Sequence, residues 1–360
     1  MKMKWFVMPA MLVLAVVGVF TLPLLKHFWD EYKPRPTVVV DGAMRAEAID
    51  MLVSALHGRY IFPEKAKQME LVLRQRQKAG TYNRITDGEQ FAQQLTTDLH
   101  SVAPDKHMEV FFDPGLVLPG DNGTRPPPET QAQWERSNNF VMRTIIRFMV
   151  RRDVGKADHL SSNIGYLNIT AFPPPFLIEE KYAAAMDELA DTDGLILDLR
   201  GNNGGGPPSV ALLLSYFVDK RTHVNDVWDR VTGTTTQYWT EDKIGGKRYD
   251  SKKPIYILVG PETKSAGEEF AYTMQALKRA TVIGQPTWGG ANPARAYTLG
   301  DNFHATIPSR RSISPITKTN WETVGVIPDI AAAPDKALAV AKDLLERRVH
   351  GAAPLVSVAR

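Results

Sequence analysis

The chain contains no cysteine in 360 residues. Disulfides, a thiolate nucleophile, cysteine-ligated zinc and lipid attachment through a cysteine are therefore excluded. Net charge is also scarce: 43 Lys and Arg against 40 Asp and Glu leave +3 with histidine neutral. No basic stripe interleaved with aromatics is visible, so nothing points to nucleic acid. There is no internal repeat. The Gly-rich segment after Leu199 is not followed by Gly-Lys-Ser/Thr and lacks G-x-G-x-x-G spacing, which argues against a nucleotide phosphate site.

What is present is an ordinary globular composition, 43% apolar and 23% charged, with length for one large domain and a smaller one. One long apolar run stands apart, from Trp5 to Leu25 behind Lys2 and Lys4. It is long enough to cross a bilayer, and the lysines favour a cytoplasmic N-terminus with the remainder outside, on the periplasmic side of a cytoplasmic membrane. A cleaved signal peptide and a secreted protein are the alternative. The expected organisation is a signal-anchor over 1–25, a tether over 26–42, a helical N-terminal domain over 43–112, a linker and connecting segment over 113–160, a core over 161–348 and a tail over 349–360.

Ala43 to Gly80 has helical periodicity, with Met44, Ile49, Leu52, Val53 and Leu56 on one face. Ile85 to His100 predicts another helix through Phe91, Leu95 and Leu99. Glycine and proline clusters, including Pro126 to Pro128, mark a loop, and Asn139 to Val150 is a helix or crossing strand. Strands then alternate with helices. Strands are predicted at Ile164–Ile169, Leu195–Leu199, Ile255–Val259 and Thr281–Ile283, and helices at Glu179–Leu189, Ser209–Phe217, Ala266–Leu277 and Lys336–Arg348. This alternation argues for an α/β core with helices covering a sheet.

Three segments hold candidate chemistry. Ser265, in Thr263-Lys264-Ser265-Ala266-Gly267-Glu268, follows a buried strand and opens a helix, where free N–H groups and the dipole favour negative charge. The same Ser265-x-x-Glu268 spacing is also a plain capping box. Asp198 to Gly206 places glycines after a buried strand, where backbone N–H groups can approach a ligand, or where the chain simply turns. A nucleophilic serine needs a base. His107, in Asp105-Lys106-His107-Met108, and Glu322, beside Trp321, are candidates whose ordinary alternatives are a packed histidine and a solvated carboxylate.

Taken together, Asp198–Gly206, Thr263–Ala271, Gly284–Ala291 and Gly325–Asp329 resemble the S41 family of serine peptidases, which includes the tail-specific, C-terminal-processing proteases, the tricorn core and the interphotoreceptor retinoid-binding protein modules. Residues 45 to 112, with Tyr60-Ile61-Phe62-Pro63 and Asp105-Lys106-His107, are similar to the helical region of the retinoid-binding branch. The resemblance implies a ClpP/crotonase-like α/β core sheet with covering helices behind a small helical domain. It implies a serine endopeptidase, with Ser265 as nucleophile, His107 as base and Glu322 as orienter. It places oxyanion donors at Ala266 and within Gly204–Gly205, and needs no metal or organic cofactor.

Two departures are visible. The C-terminal-processing branch carries its base as a lysine in Gly-Lys-Gly, where this chain has Gly289-Gly290-Ala291. The serine that precedes the histidine in the tricorn branch is Lys106 here. There is also no room for a PDZ domain between the helical region and the core, so substrate tails are expected to be gripped by the core sheet through β-addition. The expected partners are a peptide or unfolded-protein substrate and the membrane. The other functions the scaffold allows are a non-catalytic module for apolar ligands or a membrane-tethered interaction protein.

Overall fold

The computed structural model describes residues 38–116 and 156–349. The apolar run Trp5–Leu25, the tether and most of the 113–160 segment, including Pro126–Pro128 and Asn139–Val150, lie outside the described residues. Among the described residues no helix is long and apolar enough to cross a membrane.

Helix α1 (Gly42–Arg59) starts where the Asp41 carboxylate accepts the Met44 N–H at 2.9 Å. It stops at Tyr60, and Pro63 then opens α2 (Pro63–Lys78) at its first position, where proline costs no hydrogen bond. The continuous periodicity of Ala43–Gly80 is thus two helices rather than one. Helix α3 (Gly88–His100) is capped in the same way, Asp87 accepting the Gln90 N–H at 2.8 Å. The chain then passes through His107 into β1 (Glu109–Phe112).

The core opens with β2 (Lys156–Leu160), β3 (Ile164–Asn168), α4 (Pro175–Leu189), β4 (Gly194–Asp198) and α5 (Pro207–Leu214). A hairpin, β5 (His223–Asp229) and β6 (Thr234–Trp239), intervenes before β7 (Ile255–Val259), α6 (Ala266–Ala276) and β8 (Thr281–Gly284). The chain ends in β9 (Ala294–Thr298), β10 (Phe303–Pro308), β11 (Arg310–Ile313), β12 (Ile330–Ala331) and α7 (Ala337–Val349).

The central sheet has strand order β12-β8-β7-β4-β3-β2, parallel except for β2. Side chains alternate between its faces. Leu195, Leu197, Ile255 and Ile257 pack with α4, α5 and α6, whereas Ile196, Tyr256 and Leu258 meet Ala337, Ala341 and Leu345 of α7. Both faces are covered, which is why β4 and β7 are buried along their whole length and, apart from Asp198 at the end of β4, carry no charged residue, so that they were legible as buried strands.

The helical N-terminal region does not close its core alone. β1 pairs antiparallel with β10, which pairs with β9, and this three-stranded sheet lies against α1 and α3. Phe91 of α3 meets Phe303 of β10 edge to face at 5.3 Å between ring centroids. Ile61 also donates its N–H to the Pro308 carbonyl. Residues from the far end of the chain therefore fix where the segment carrying His107 sits.

Candidate active site

The buried strand β7 delivers the chain to Ser265, the residue that caps α6. Its backbone is in an unusual conformation, φ 50° and ψ −112°, which an L residue keeps only when its surroundings hold it there. Three contacts do so. The Thr263 hydroxyl donates to the Leu199 carbonyl, the Lys264 N–H to the Asn202 carbonyl and the Ser265 N–H to the Glu268 carboxylate at 2.9 Å. The last is half of the capping box read in the sequence.

The Gly-rich loop after β4 leans directly on this turn. A Cβ on Gly204, which has φ 91°, would stand 2.9 Å from Ser265 Cβ. One on Gly205 would lie 2.0 Å from the Phe172 carbonyl oxygen, because Phe172 and Gly205 form a β-bridge. Only glycine fits either place. Asn202, fully buried, ties the loop together: its amide donates to the Ile169 carbonyl and its oxygen accepts the Gly204 N–H at 2.8 Å. The Gly204 N–H is therefore already engaged, which leaves Gly205 within the expected Gly204–Gly205 pair. Among the described residues no acceptor is found for the N–H groups of Gly205 and Ala266, the two that remain beside Ser265. Asn202 had been read only as part of the glycine segment. Its full burial, which has no sequence marker, identifies it as the clamp.

Glu268 links this turn to the segment after β8. Its buried carboxylate accepts from the Ser265 N–H, the Thr287 hydroxyl at 2.6 Å, the Gly289 N–H and the Gly290 N–H at 3.0 Å. Burial raises its pKa and these donors oppose the rise. Trp288, held between them, donates its N–H to the Thr263 carbonyl.

His107 meets the site across this segment. Its ring stands edge to face with Trp288, centroids 4.9 Å apart. A Cβ on Gly290 would lie 2.7 Å from His107 Cε1. Trp288 Cζ3 would be nearer still, at 2.4 Å, so the indole and the imidazole together fill the space beside Gly290, the residue that the resemblance sets against the lysine of the C-terminal-processing branch. Burial lowers the His107 pKa to about 4, so the ring is a neutral base at pH 7. Its Nδ1 is buried without a partner. Lys106, in place of the relay serine, reaches instead to the Trp288 carbonyl.

Glu322 approaches from the same side. One carboxylate oxygen accepts the Ala291 N–H at 2.6 Å, and the other is buried without a partner. Trp321 steadies it by donating its indole N–H to the Gly290 carbonyl at 2.9 Å. Burial and the neighbouring Asp105 push the Glu322 pKa up to about 8. Ser265, His107 and Glu322 thus converge on residues 287–291, although no hydrogen bond joins the Ser265 hydroxyl to the imidazole in this conformation. Such contacts are often loose before substrate arrives. Among the described residues no group of side chains could hold a metal ion.

A cavity of about 680 Å³ with a mixed lining opens beside the glycine loop, bounded by Pro208, Leu212, Tyr216 and Trp239 together with charged residues such as Glu179 and Arg221. Strand β6 forms an edge of the order β11-β5-β6, with Thr234 to Gln237 exposed.

The profile of peptidase family S41 matches residues 163–332, and that of the N-terminal domain of this family in eukaryotic IRBP matches residues 43–154. A chloroplastic carboxyl-terminal-processing peptidase from Arabidopsis thaliana is 29% identical over 175 residues, 47% of this chain and 32% of that protein. A nisin-resistance protein from Lactococcus lactis is 26% identical over 157 residues, 41% of this chain and 49% of that protein. The chain therefore spans about a third to a half of the length of these relatives. Among solved structures, a lipoprotein from Streptococcus agalactiae superposes with a TM-score of 0.53 at 15% identity, covering 87% of this chain and all of that one. The tricorn protease gives 0.51 at 14% identity, covering 86% of this chain and 37% of that one. At such identities the superpositions establish the fold alone.

Proposed function

The chain belongs to peptidase family S41, and from that premise we propose that it is a serine endopeptidase with Ser265 as nucleophile, His107 as general base and Glu322 as the group that orients the imidazole. The observation that carries this reading is the strained Ser265 turn at the mouth of α6, with the Ala266 and Gly205 N–H groups open beside its side chain. A peptide carbonyl bound there would direct its oxygen at those two donors. The neutral His107 takes the hydroxyl proton as Ser265 attacks, and the tetrahedral oxyanion is held by the two N–H groups, each worth about 3–4 kcal/mol in comparable sites. His107 returns the proton to the leaving amine, and water hydrolyses the acyl ester by the same route. No cofactor enters these steps.

The edge position of β6 and the cavity next to the glycine loop support gripping of an extended peptide by β-addition, with a side chain of the peptide in the cavity. The run Trp5–Leu25 behind Lys2 and Lys4 supports membrane attachment with the peptidase on the extracytoplasmic side, acting on proteins or peptides there.

The test is labelling of the full chain with a fluorophosphonate probe beside Ser265→Ala and His107→Ala. Labelling abolished in both variants is the expected result. Loss in Ser265→Ala alone would move the base elsewhere. A folded wild type that never labels would favour the apolar-ligand-binding function instead.

A further inference from the structure

Asp105 stands two residues before His107 and is almost fully buried, with 4% of its surface exposed. Nothing in the sequence distinguished it. One carboxylate oxygen accepts the His107 backbone N–H at 3.2 Å, and the other accepts the Asn292 amide at 3.1 Å. Asn292 follows Ala291, whose N–H holds Glu322. The two acids are thus gripped by adjacent residues of one segment.

The groups facing this pair are few. Tyr60, at the end of α1, puts its hydroxyl beside Asp105, and the two acids push its pKa up after burial itself. His100 of α3 is the one ionisable base acting on Asp105, and its Nε2 is already turned to the Met108 carbonyl. Glu268 adds a further negative neighbour to Glu322. Lys106, the nearest lysine in sequence, is directed at Trp288. Among the described residues no Arg or Lys is among the groups acting on either carboxylate. Two carboxylates in one dry pocket without a cation do not both ionise easily, and their protons leave in steps that belong to the pair.

We propose that Asp105 is a positioning residue of the serine site, which fixes the backbone of His107 and shares a single negative charge with Glu322, so that Asp105 sets the pH at which Glu322 becomes an anion. The proposal rests on the serine-peptidase reading for its functional meaning but not for its physical content. Burial raises Asp105 to about 6 and Glu322 to about 8, so the proton stays on Glu322 through neutral pH while Asp105 carries the charge. A protonated Glu322 cannot stabilise an imidazolium. Reactivity of Ser265 should therefore climb as pH rises through about 8. It should not follow an ordinary histidine titration, because His107 is held neutral down to about 4.

The test uses the full chain and Asp105→Asn. This change removes the charge but keeps an acceptor for the His107 N–H. The Asn292 oxygen, which has no partner, can turn to receive the new amide. Infrared difference spectra against pH follow the protonated carboxyl band, assigned to Glu322 by its absence in Glu322→Gln. The expected result is a midpoint lower by at least about one pH unit in Asp105→Asn, the size of shift a close like charge imposes. The pH limb of probe labelling should move with it. Glu322→Gln should leave the Asp105 midpoint where it is, because Glu322 is still neutral when Asp105 titrates. Asp105→Ser, which keeps an oxygen for the His107 N–H, should lower the Glu322 midpoint as Asp105→Asn does, which keeps the idea testable should Asp105→Asn fold poorly. An unmoved Glu322 midpoint in both Asp105 variants would overturn the shared charge. A shifted band in a protein whose serine never labels would preserve the carboxylate pair and remove the peptidase instead.

Discussion

Replacing Glu268 by alanine tests whether one buried carboxylate fastens the nucleophile turn to the segment that meets His107. In the structure it satisfies three backbone N–H groups, from Ser265, Gly289 and Gly290, and the Thr287 hydroxyl. Alanine leaves all four donors without an acceptor in a site with almost no solvent. A buried orphaned donor costs about 1–3 kcal/mol. Water entering the vacated volume recovers part of this, so the net loss is set at about 3–5 kcal/mol, in the upper range for a single substitution. For a domain of this size that lowers Tm by roughly 6–12 °C. Urea unfolding of the full chain, with an unchanged slope, measures it directly. Labelling of Ser265 should also fall even in the folded fraction, because the turn and the 287–291 segment lose their common anchor. A stability loss below about 1 kcal/mol would refute the reasoning, since the four donors would then have ready substitutes.

Gly205→Ala should cut kcat/KM by about 10²–10³, the effect of losing one oxyanion donor, because its Cβ would be driven into the Phe172 carbonyl and the loop must move. Wild-type turnover in a steady-state peptide assay would mean that the Gly205 N–H is not a donor. Gly290→Lys should lower labelling by about 10²-fold or more by pushing the imidazole aside, in keeping with the usual contribution of a positioned base. Adding His107→Ala removes the imidazole, though not the Trp288 indole, from the path of the new lysine and should restore part of the rate. A single Gly290→Lys protein that labels normally would show that His107 is not held against Gly290.

The sequence revealed most where burial made it repetitive. β7 has no charged residue and β4 has one only at its last position, Asp198, so their place in a two-faced sheet followed from composition. The exposed hairpin did not. β6 is Thr-Thr-Thr-Gln-Tyr-Trp with four exposed residues, and β5 carries a register shift between His223 and Asn225 that breaks its alternation. β1 is four residues long and depends on β10, nearly 200 positions away, for its pairing. The site followed the same division. Ser265, His107 and Glu322 were singled out through family resemblance, because each has an ordinary alternative when taken alone. Spacing marked Glu268 as a helix cap, but its bonds to residues 287–290, like the contacts of Asp105 and Asn202, are made across the fold, which spacing along the chain does not encode. The Gly204 N–H, one of the pair within which a donor was expected, was closed by the Asn202 side chain two residues earlier.

The pairing of β1 with β10 also bears on when the candidate site can be assembled. During synthesis Ser265 emerges long before Glu322, and the segment carrying His107 has no strand to lie against until residues 303–308 have appeared. The α1–α3 core likewise lacks Tyr297, Phe303 and Ile307 until that point. A chain stalled or truncated upstream of β10 therefore holds the nucleophile but not its surroundings. Long-range pairings of this kind form late. The order of the elements thus delays assembly of the site until β10 has been made.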